Sequence, residues 1–296
     1  MIRKFLVLKQ IEVINANAIS SPYTIGFPAM TAWLGAVHAL QRRLNAAGFE
    51  NLRLPSVGVV SHEAKLHTYR GKGDYVASIV GTANPLDKDA ERPSFIEEGR
   101  IHLTVSIVAE IDGLSKKEEK HGHFVETVEK IVQSHMKLAG GDIIKCGEVS
   151  IVRFGDEDPG ETKRFLARLM PGYTIVQRRD LMIEAMRDGK DALDALIEYV
   201  AIHHHCEDGE WKSGRKSPGW IVPVAIGFHG ISKIDRALNQ RDPDTPHRFA
   251  ESVVTLGEFK MPIRLEDIDE MLWRYNYDEE KAFYLCEPIK SKQEGE

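Results

Sequence analysis

Short polar side chains and a pair of arginines flank a Gly–Pro turn in the segment NANAISSPYTIGFPAMTAWLGAVHALQRR, residues 15–43. Short polar side chains and unpaired backbone N–H groups can hydrogen-bond phosphate oxygens or the edges of unstacked bases. The planar guanidinium of arginine matches phosphate oxygens with two parallel hydrogen bonds. The segment therefore carries groups suited to holding a single-stranded nucleic acid. The candidate residues are Asn15, Asn17, Ser20, Ser21, His38, Gln41, Arg42 and Arg43.

Each of these groups also has a structural explanation. Asn and Ser in turns hydrogen-bond their own backbone. Arginines on the solvent side of a helix, near its C-terminus, favour the helix dipole. His38 could act as a general base because imidazole titrates near neutral pH, although a lone histidine on a helix is more often a packing residue. The residues alone leave both interpretations open.

The charge of the chain is unevenly distributed. The 296 residues carry a net charge of -6, which gives no general attraction to nucleic acid. Residues 1–60, however, contain six basic and two acidic residues, so this part has a net charge of +4 and the remainder -10. The sequence therefore predicts a local cationic face on an acidic protein.

Cysteine usage and hydropathy indicate the compartment. Cys146, Cys206 and Cys286 are odd in number and far apart, which favours a reducing environment over a disulfide framework. No signal peptide is evident, and no stretch approaches the roughly 20 apolar residues that a membrane helix needs. We expect a soluble, cytoplasmic protein with no membrane contact.

The hydrophobic periodicity of the first half predicts strand, helix, strand, strand, helix, strand. The four strands are expected at 5–14, 57–69, 100–111 and 148–154. The first helix is expected to begin at Thr31 as N-cap and to stop at Gly48, and the second to span 121–138 and close on Gly140 and Gly141. This order is that of the ferredoxin-like fold, which RNA-recognition modules share with many other proteins.

The second half departs from that order. Helices are expected at 161–169, 191–203 and 265–275, and Trp220 precedes a short apolar strand after a Pro–Gly turn. The fold class is therefore α+β, with an RRM-like core at 1–155. Residues 156–296 are expected to add helical and strand elements packed on that core as one body.

Two further motifs have alternative interpretations. The adjacent residues His203, His204, His205 and Cys206 diverge in direction, so we expect an exposed helix end rather than a metal site. Trp220 could stack on a base, but a tryptophan beside a turn is more often a core or interface anchor. No P-loop, dinucleotide fingerprint, nucleophile elbow or zincin motif is present, and no cofactor is expected.

Several blocks together resemble a known family. NANAISS, the GFP turn and VHALQRR (37–43) are followed by EEGRIHL (97–103), KLAGG (137–141), PGWIVP (218–223) and TPHRFAESVVTLGE (245–258). In this order the blocks resemble the type I-F CRISPR-associated Csy proteins that bind the 5′ handle of the guide RNA. The resemblance spans nearly the whole chain, although residues 145–216 depart from the family pattern.

The resemblance implies a RAMP-superfamily protein that acts as a non-catalytic subunit of an RNA-guided surveillance complex. Its implied partners are the 5′ handle of the guide RNA, the large subunit and the first backbone subunit. Target DNA is an indirect partner, because the resemblance implies that it base-pairs with the guide RNA. A recruited helicase-nuclease is then implied to cleave the DNA. By match to the motifs, the RNA-facing set is the one given above, with Arg248 in the TPHRF block as an addition.

Two rival functions stay open. In the first, the protein is a metal-independent endoribonuclease of the RAMP type that processes CRISPR RNA, with His38 activating a 2′-hydroxyl group. The modest glycine content at Gly140 differs from the long glycine-rich loop of catalytic RAMP nucleases, which weakens this hypothesis. In the second, the protein bridges other subunits without touching RNA.

Overall fold

The computed structural model describes residues 2–81, 86, 89–91, 98–115, 122–155, 159–238, 242 and 244–289. These residues form a mixed α/β structure with a large antiparallel sheet and five α-helices. No helix among them is long and apolar enough to cross a membrane. The helices are α1 (Met30–Ala46), α2 (His123–His135), α3 (Pro159–Arg168), α4 (Arg179–Arg187) and α5 (Ala192–Val200).

Seventeen strands lie within the same residues. Those of the first half are β1 (Ile2–Asn17), β2 (Ile19–Ser21), β3 (Thr24–Ile25), β4 (Val57–Leu66), β5 (Thr68–Tyr69), β6 (Ser78–Ile79), β7 (Arg100–Glu110), β8 (Lys137–Leu138), β9 (Gly141–Lys145) and β10 (Val149–Gly155). Those of the second half are β11 (Tyr173–Gln177), β12 (His203–Glu207), β13 (Glu210–Gly214), β14 (Trp220–Gly230), β15 (Ala250–Lys260), β16 (Trp273–Asp278) and β17 (Phe283–Pro288).

The four strands expected in the first half are present and adjacent. They lie in the order β10–β1–β7–β4, and each neighbouring pair is antiparallel. The apolar run at the start of β1 is continuous because both faces of the sheet are covered there. Leu6 and Leu8 belong to the core cluster that contains α1 and α2, whereas Phe5 and Val7 pack with Phe165 of α3.

The first two helices pack on the same core. In α1 the expected stripe is buried, and Trp33 also donates its indole N–H to the carbonyl of Pro28 at 3.2 Å. The N-cap is Ala29, not Thr31, which lies in the first turn. In α2, Phe124 is fully buried and meets the ring of Phe49 edge-on, with centroids 5.1 Å apart. The stripe of α1 consists of Trp33, Val37, Leu40 and Leu44.

The second half extends the sheet rather than forming a separate one. Strands β11, β15, β14, β17 and β16 join β4 through the pairs Thr174↔Val60 and Trp273↔Val57, which gives eleven strands in the described residues. The ring of Phe27, just before α1, touches Phe259 of β15, with centroids 5.3 Å apart. The first helix thus packs against both parts of the sheet.

Two hairpins correct the expected helix ends. The second helix stops at His135, and its expected last residues form β8. Ala139 and Gly140, with φ of +48° and +76°, make the two-residue turn into β9, so Gly140 serves a hairpin rather than a helix terminus. Likewise α5 ends at Val200, and His203 begins a strand. There Asp208 and Gly209, with φ of +53° and +84°, turn β12 into β13.

The expected helix at 265–275 is wrong. Residues Pro262–Arg264 and Ile268–Glu270 form short 3₁₀ turns, the second started by the side chain of Asp267 in a capping box. The aromatic and polar alternation of WRYNYD then forms β16. Sequence periodicity also missed α4 and the strands β11, β15, β16 and β17.

Candidate nucleic-acid interface

The end of β1 presents two exposed asparagines. Asn15 has a φ of +55°, which only a few non-glycine residue types tolerate readily, and it lies in an irregularity of the β1–β7 pairing. Its N–H donates to Nδ1 of His102 at 3.2 Å, and Arg100 donates to its carbonyl at 3.5 Å. Within the described part of the chain its side-chain amide makes no hydrogen bond. Asn15 is therefore free to bond a ligand.

Asn17 combines a structural bond with exposure. Its backbone N–H donates to the carbonyl of Ala139 at 2.8 Å, and its side-chain oxygen accepts from the N–H of Ile19 at 2.9 Å. The side-chain NH₂ group keeps its two donors for an external acceptor.

Ser20 and Ser21 brace the small β2–β3 hairpin. The hydroxyl of Ser20 lies 2.8 Å from that of Thr24, and the hydroxyl of Ser21 lies 2.6 Å from the same oxygen. Ser21 is also buried. These bonds favour the turn-forming interpretation of both serines over direct ligand contact.

The four polar candidates on α1 differ in their surroundings. Gln41 is half-buried, and its side-chain oxygen accepts from the N–H of Leu54 at 2.8 Å, so it braces the fold. His38 and Arg42 are exposed, and the described residues give neither a hydrogen-bond partner. Arg43 is exposed too, and its guanidinium donates to the carbonyl of His135 at the end of α2.

One short segment joins the two halves of the candidate site. Arg43 bonds the carbonyl of His135, and Asn17 bonds the carbonyl of Ala139. These carbonyl-bearing residues are four apart, so their Cα atoms are separated by at most about 14 Å. The segment 135–139 therefore brings the end of β1 and the C-terminal half of α1 to one surface. We call it the β1–α1 junction, defined by Asn15, Asn17, Arg42, Arg43 and 135–139.

The two arginines supply the uncompensated charge of this junction. Other cations beside it are paired with carboxylates: Arg100 with Glu98, Lys137 with Asp142 at 2.7 Å, and Lys145 with Glu12 at 3.6 Å. In the described residues, Arg42 and Arg43 have no carboxylate within ion-pair distance. Among the described residues of the junction, these two arginines are therefore the cations without a carboxylate partner.

Arg248 lies far from the other candidates in sequence, just before β15. The Tyr23 hydroxyl donates to the carbonyl of Ser252 at 3.3 Å, only four residues from Arg248. The Nε of Arg248 is buried without a hydrogen-bond partner in the described residues. Its side chain lies so close to Gly230 that a Cβ there would meet its Cδ at 2.4 Å. A buried donor of this kind needs an acceptor, which an anionic ligand would supply.

Sequence reasoning missed a second group beside Asn15. The Nε2 atoms of His67 and His102 lie 2.9 Å apart. Because Nδ1 of His102 accepts from Asn15, neutral His102 carries its proton on Nε2 and donates to His67. Burial and the neighbouring His102 lower the pKa of His67 below its ordinary value of 6.5.

The chain continues from His67 into the β5–β6 hairpin. This hairpin exposes two aromatic and two basic side chains, and Tyr75 is 96% exposed. Interleaved aromatic and basic residues suit single-stranded nucleic acid, since bases stack on rings while cations meet phosphates. The signal in the sequence was TYRGKGDY. The four residues are Tyr69, Arg70, Lys72 and Tyr75.

The other motifs form no such site. His203–Cys206 lies on β12, where successive side chains point to opposite faces, and the described residues contain no group of three or more His, Cys, Asp or Glu that could hold a metal ion. The expected exposed helix end is therefore wrong, because the segment is a strand. Trp220 is 54% exposed and touches the rings of Phe259 and Tyr173, with centroids 5.3 and 5.9 Å away.

Two comparisons with known proteins match nearly the whole chain. The family model for the CRISPR-associated protein Cas_Csy2 matches residues 6–286. The chain is also 33% identical over 316 aligned residues to the CRISPR-associated protein Csy2 of Pseudomonas aeruginosa (strain UCBPP-PA14), an alignment covering 94% of this chain and 93% of that protein. These matches agree with the resemblance to the type I-F Csy proteins found in the sequence blocks. The chain therefore belongs to the Csy2 family of CRISPR-associated proteins.

Proposed function

We propose that the protein binds the 5′ handle of a CRISPR guide RNA as a non-catalytic subunit of the type I-F surveillance complex. Its site is the β1–α1 junction. The observation that carries the proposal is the pair Arg42 and Arg43, which are exposed and without carboxylate partners among the described residues. Arg43 also bonds the segment that anchors Asn17. Guanidinium groups in this state bind phosphate oxygens bidentately.

The proposed residues divide into contacts and braces. Asn15, Asn17, Arg42 and Arg43 contact the RNA backbone or unstacked bases, and Arg248 contacts a phosphate near the β2–β3 hairpin. The β5–β6 hairpin adds stacking surfaces and charge. Ser20, Ser21 and Gln41 hold the surface in shape through their internal bonds.

We further propose that the core is a ferredoxin-like RAMP core and that the protein is cytoplasmic. The antiparallel order β10–β1–β7–β4, with α1 and α2 following β1 and β7, supports the fold assignment. Membership of the Csy2 family supports the large subunit and the first backbone subunit as protein partners, with target DNA engaged through the guide.

The endoribonuclease alternative relies on His38. A general base in RNA cleavage needs an orienting partner and usually a nearby acid or charge stabiliser. Arg42 lies one helical turn along, but His38 has no hydrogen bond to another described side chain that would fix its tautomer. This favours binding over cleavage. Labelled precursor RNA incubated with the purified protein in EDTA should stay intact; cleavage abolished by His38→Ala would establish the alternative.

The position of the RNA can be tested directly. Guide RNA carrying 4-thiouridine in its 5′ handle would be assembled into the co-expressed complex, irradiated, and the cross-linked peptides mapped. The proposal predicts cross-links to peptides containing residues 15–17, 42–43, 67–75 or 248. Cross-links confined to other parts of this chain, or to other subunits, would contradict it.

A further inference from the structure

Helix α5 is apolar on two opposite sides. Seven of the nine residues in its sequence, ALDALIEYV, are apolar. One side, with Ala195 and Tyr199, is buried in a cluster with α4 and β14. The other side exposes Leu193 and Ile197, at 62% and 53%. An apolar helix face usually packs against another element.

Three exposed apolar side chains lie on this helix or just past its end. Leu193 and Ile197 are four residues apart and so adjacent on the helix surface, and Ile202, just past the helix, is 51% exposed. We call these three residues the α5 stripe. A single exposed apolar side chain is ordinary, but three within ten residues indicate an interaction surface. A nine-residue helix also depends on packing for its stability.

The charges around the α5 stripe indicate what covers it. Asp188, Asp191 and Asp194 are exposed, and no described basic side chain lies within ion-pair distance of them. The carboxylate of Asp191 caps the helix by accepting from the N–H of Asp194 at 2.8 Å. Lys190 and Lys216 both pair with Glu198 on the same helix, so in the described residues they do not neutralise the three aspartates. These carboxylates disfavour a phosphate ligand, and two copies meeting here would place carboxylates against carboxylates.

We infer that the α5 stripe is a docking surface for another protein subunit of the same complex, one with an apolar groove edged by lysine or arginine side chains. The inference rests on the proposed function, because that function places the protein in a complex with other subunits. It does not depend on RNA contact, because the stripe and the β1–α1 junction lie on different elements and can be altered separately.

The test uses the full chain co-expressed with the other Csy subunits. Leu193→Ser with Ile197→Ser is compared with Ile263→Ser, a control at an isoleucine of matched exposure, 55%. In a pull-down, the stripe variant should retain at least tenfold less of one protein subunit than the wild type does, whereas the control variant should retain that subunit fully. A photo-reactive amino acid at position 197 should cross-link that same subunit. Thermal melting of each purified variant shows whether it is folded.

Each other outcome overturns the inference. A folded stripe variant that retains every protein subunit would show that the stripe docks none of them. A wild-type homodimer that the variant abolishes would show that the stripe binds a second copy. Loss of RNA with all proteins retained would indicate RNA binding, and stripe-dependent flotation with vesicles of phosphatidylcholine and phosphatidylglycerol would indicate membrane binding. If the stripe variant does not fold, absence of a cross-link from position 197 to any other subunit overturns it. RNA missing from the wild-type complex, together with stripe-dependent subunit binding, would refute the proposed function and leave the inference intact.

Discussion

The guanidinium of Arg43 donates a hydrogen bond to the carbonyl oxygen of His135, and so ties the last turn of α1 to the C-terminus of α2. The orphan carbonyls at a helix C-terminus favour a cation, so this contact stabilises the helix pair. Arg42, the adjacent residue, makes no such contact within the described structure. Substitution of Arg43 should therefore lower the stability of the protein, whereas substitution of Arg42 should not.

Single substitutions should separate binding from bracing. Arg42→Gln should weaken guide RNA retention with no change in melting temperature. Arg43→Gln should weaken retention and also lower the melting temperature by a few degrees, because it removes a charge-assisted bond of about 1.5–3 kcal/mol at most. Differential scanning fluorimetry and filter binding with handle RNA measure the two effects. Equal melting temperatures for both variants would contradict the distinction.

The His67–His102 pair predicts a pH dependence. The folded pKa of His67 lies below its ordinary value of 6.5, so the unfolded chain binds more protons at this ring as the pH falls. The contribution of His67 to stability is thus undiminished above pH 6.5 and declines below it. His67→Gln keeps a side-chain acceptor for the N–H of His102. This variant should show a smaller difference in melting temperature between pH 7.5 and 5.5 than the wild type. An NMR midpoint for His67 at or above 6.5 would be inconsistent with this.

The three cysteines should differ in reactivity. Burial raises the pKa of Cys146 to about 11 and of Cys286 to about 12, so both remain protonated at neutral pH. Cys206 is exposed on β12. Ellman's reagent should therefore modify one thiol in the native protein and three after denaturation, and Cys206→Ser should abolish the native reaction. Rapid native modification of two or more thiols would show that the core around Cys146 or Cys286 opens.

The β8–β9 hairpin must lie close to β1 for the junction to form. A Cβ at Gly141 would lie 2.7 Å from the backbone N of Ala16 and from the carbonyl of Ile14. Gly141→Ala should therefore destabilise the protein by about 1–3 kcal/mol and reduce RNA retention, because the hairpin must shift. Gly214→Ala, where a Cβ meets nothing within 4 Å, is the matched control. Similar melting temperatures for the two variants would refute the close approach.

Local pattern predicted the first half of the fold well and the second half poorly. The strands β1, β4, β7 and β10 and the stripe of α1 follow directly from alternation and 3.6-residue spacing. The Ala139–Gly140 turn was misread because a glycine after a helical pattern indicates a helix stop as readily as a hairpin. Strands β15 to β17 owe their pairing to distant partners, which periodicity does not reveal.

The candidate site was only partly predictable for a similar reason. Residue type and position identified the exposed Asn15 and Arg42. Whether Ser21 or Gln41 faces a ligand depends on Thr24 and Leu54, whose approach is fixed by tertiary structure. The His67–His102 contact joins β7 to the residue that follows β4, and no local signal marks it.

The most direct test of RNA binding at the β1–α1 junction is guide RNA retention by the co-expressed complex carrying Arg42→Glu with Arg43→Glu. The control is Arg264→Glu with Arg274→Glu, which changes the charge equally at two exposed arginines elsewhere. Loss of two charge-assisted contacts should reduce RNA per complex at least about tenfold, with a shallower salt dependence, while the control keeps it. Unchanged RNA in an intact complex of the junction variant would contradict the account.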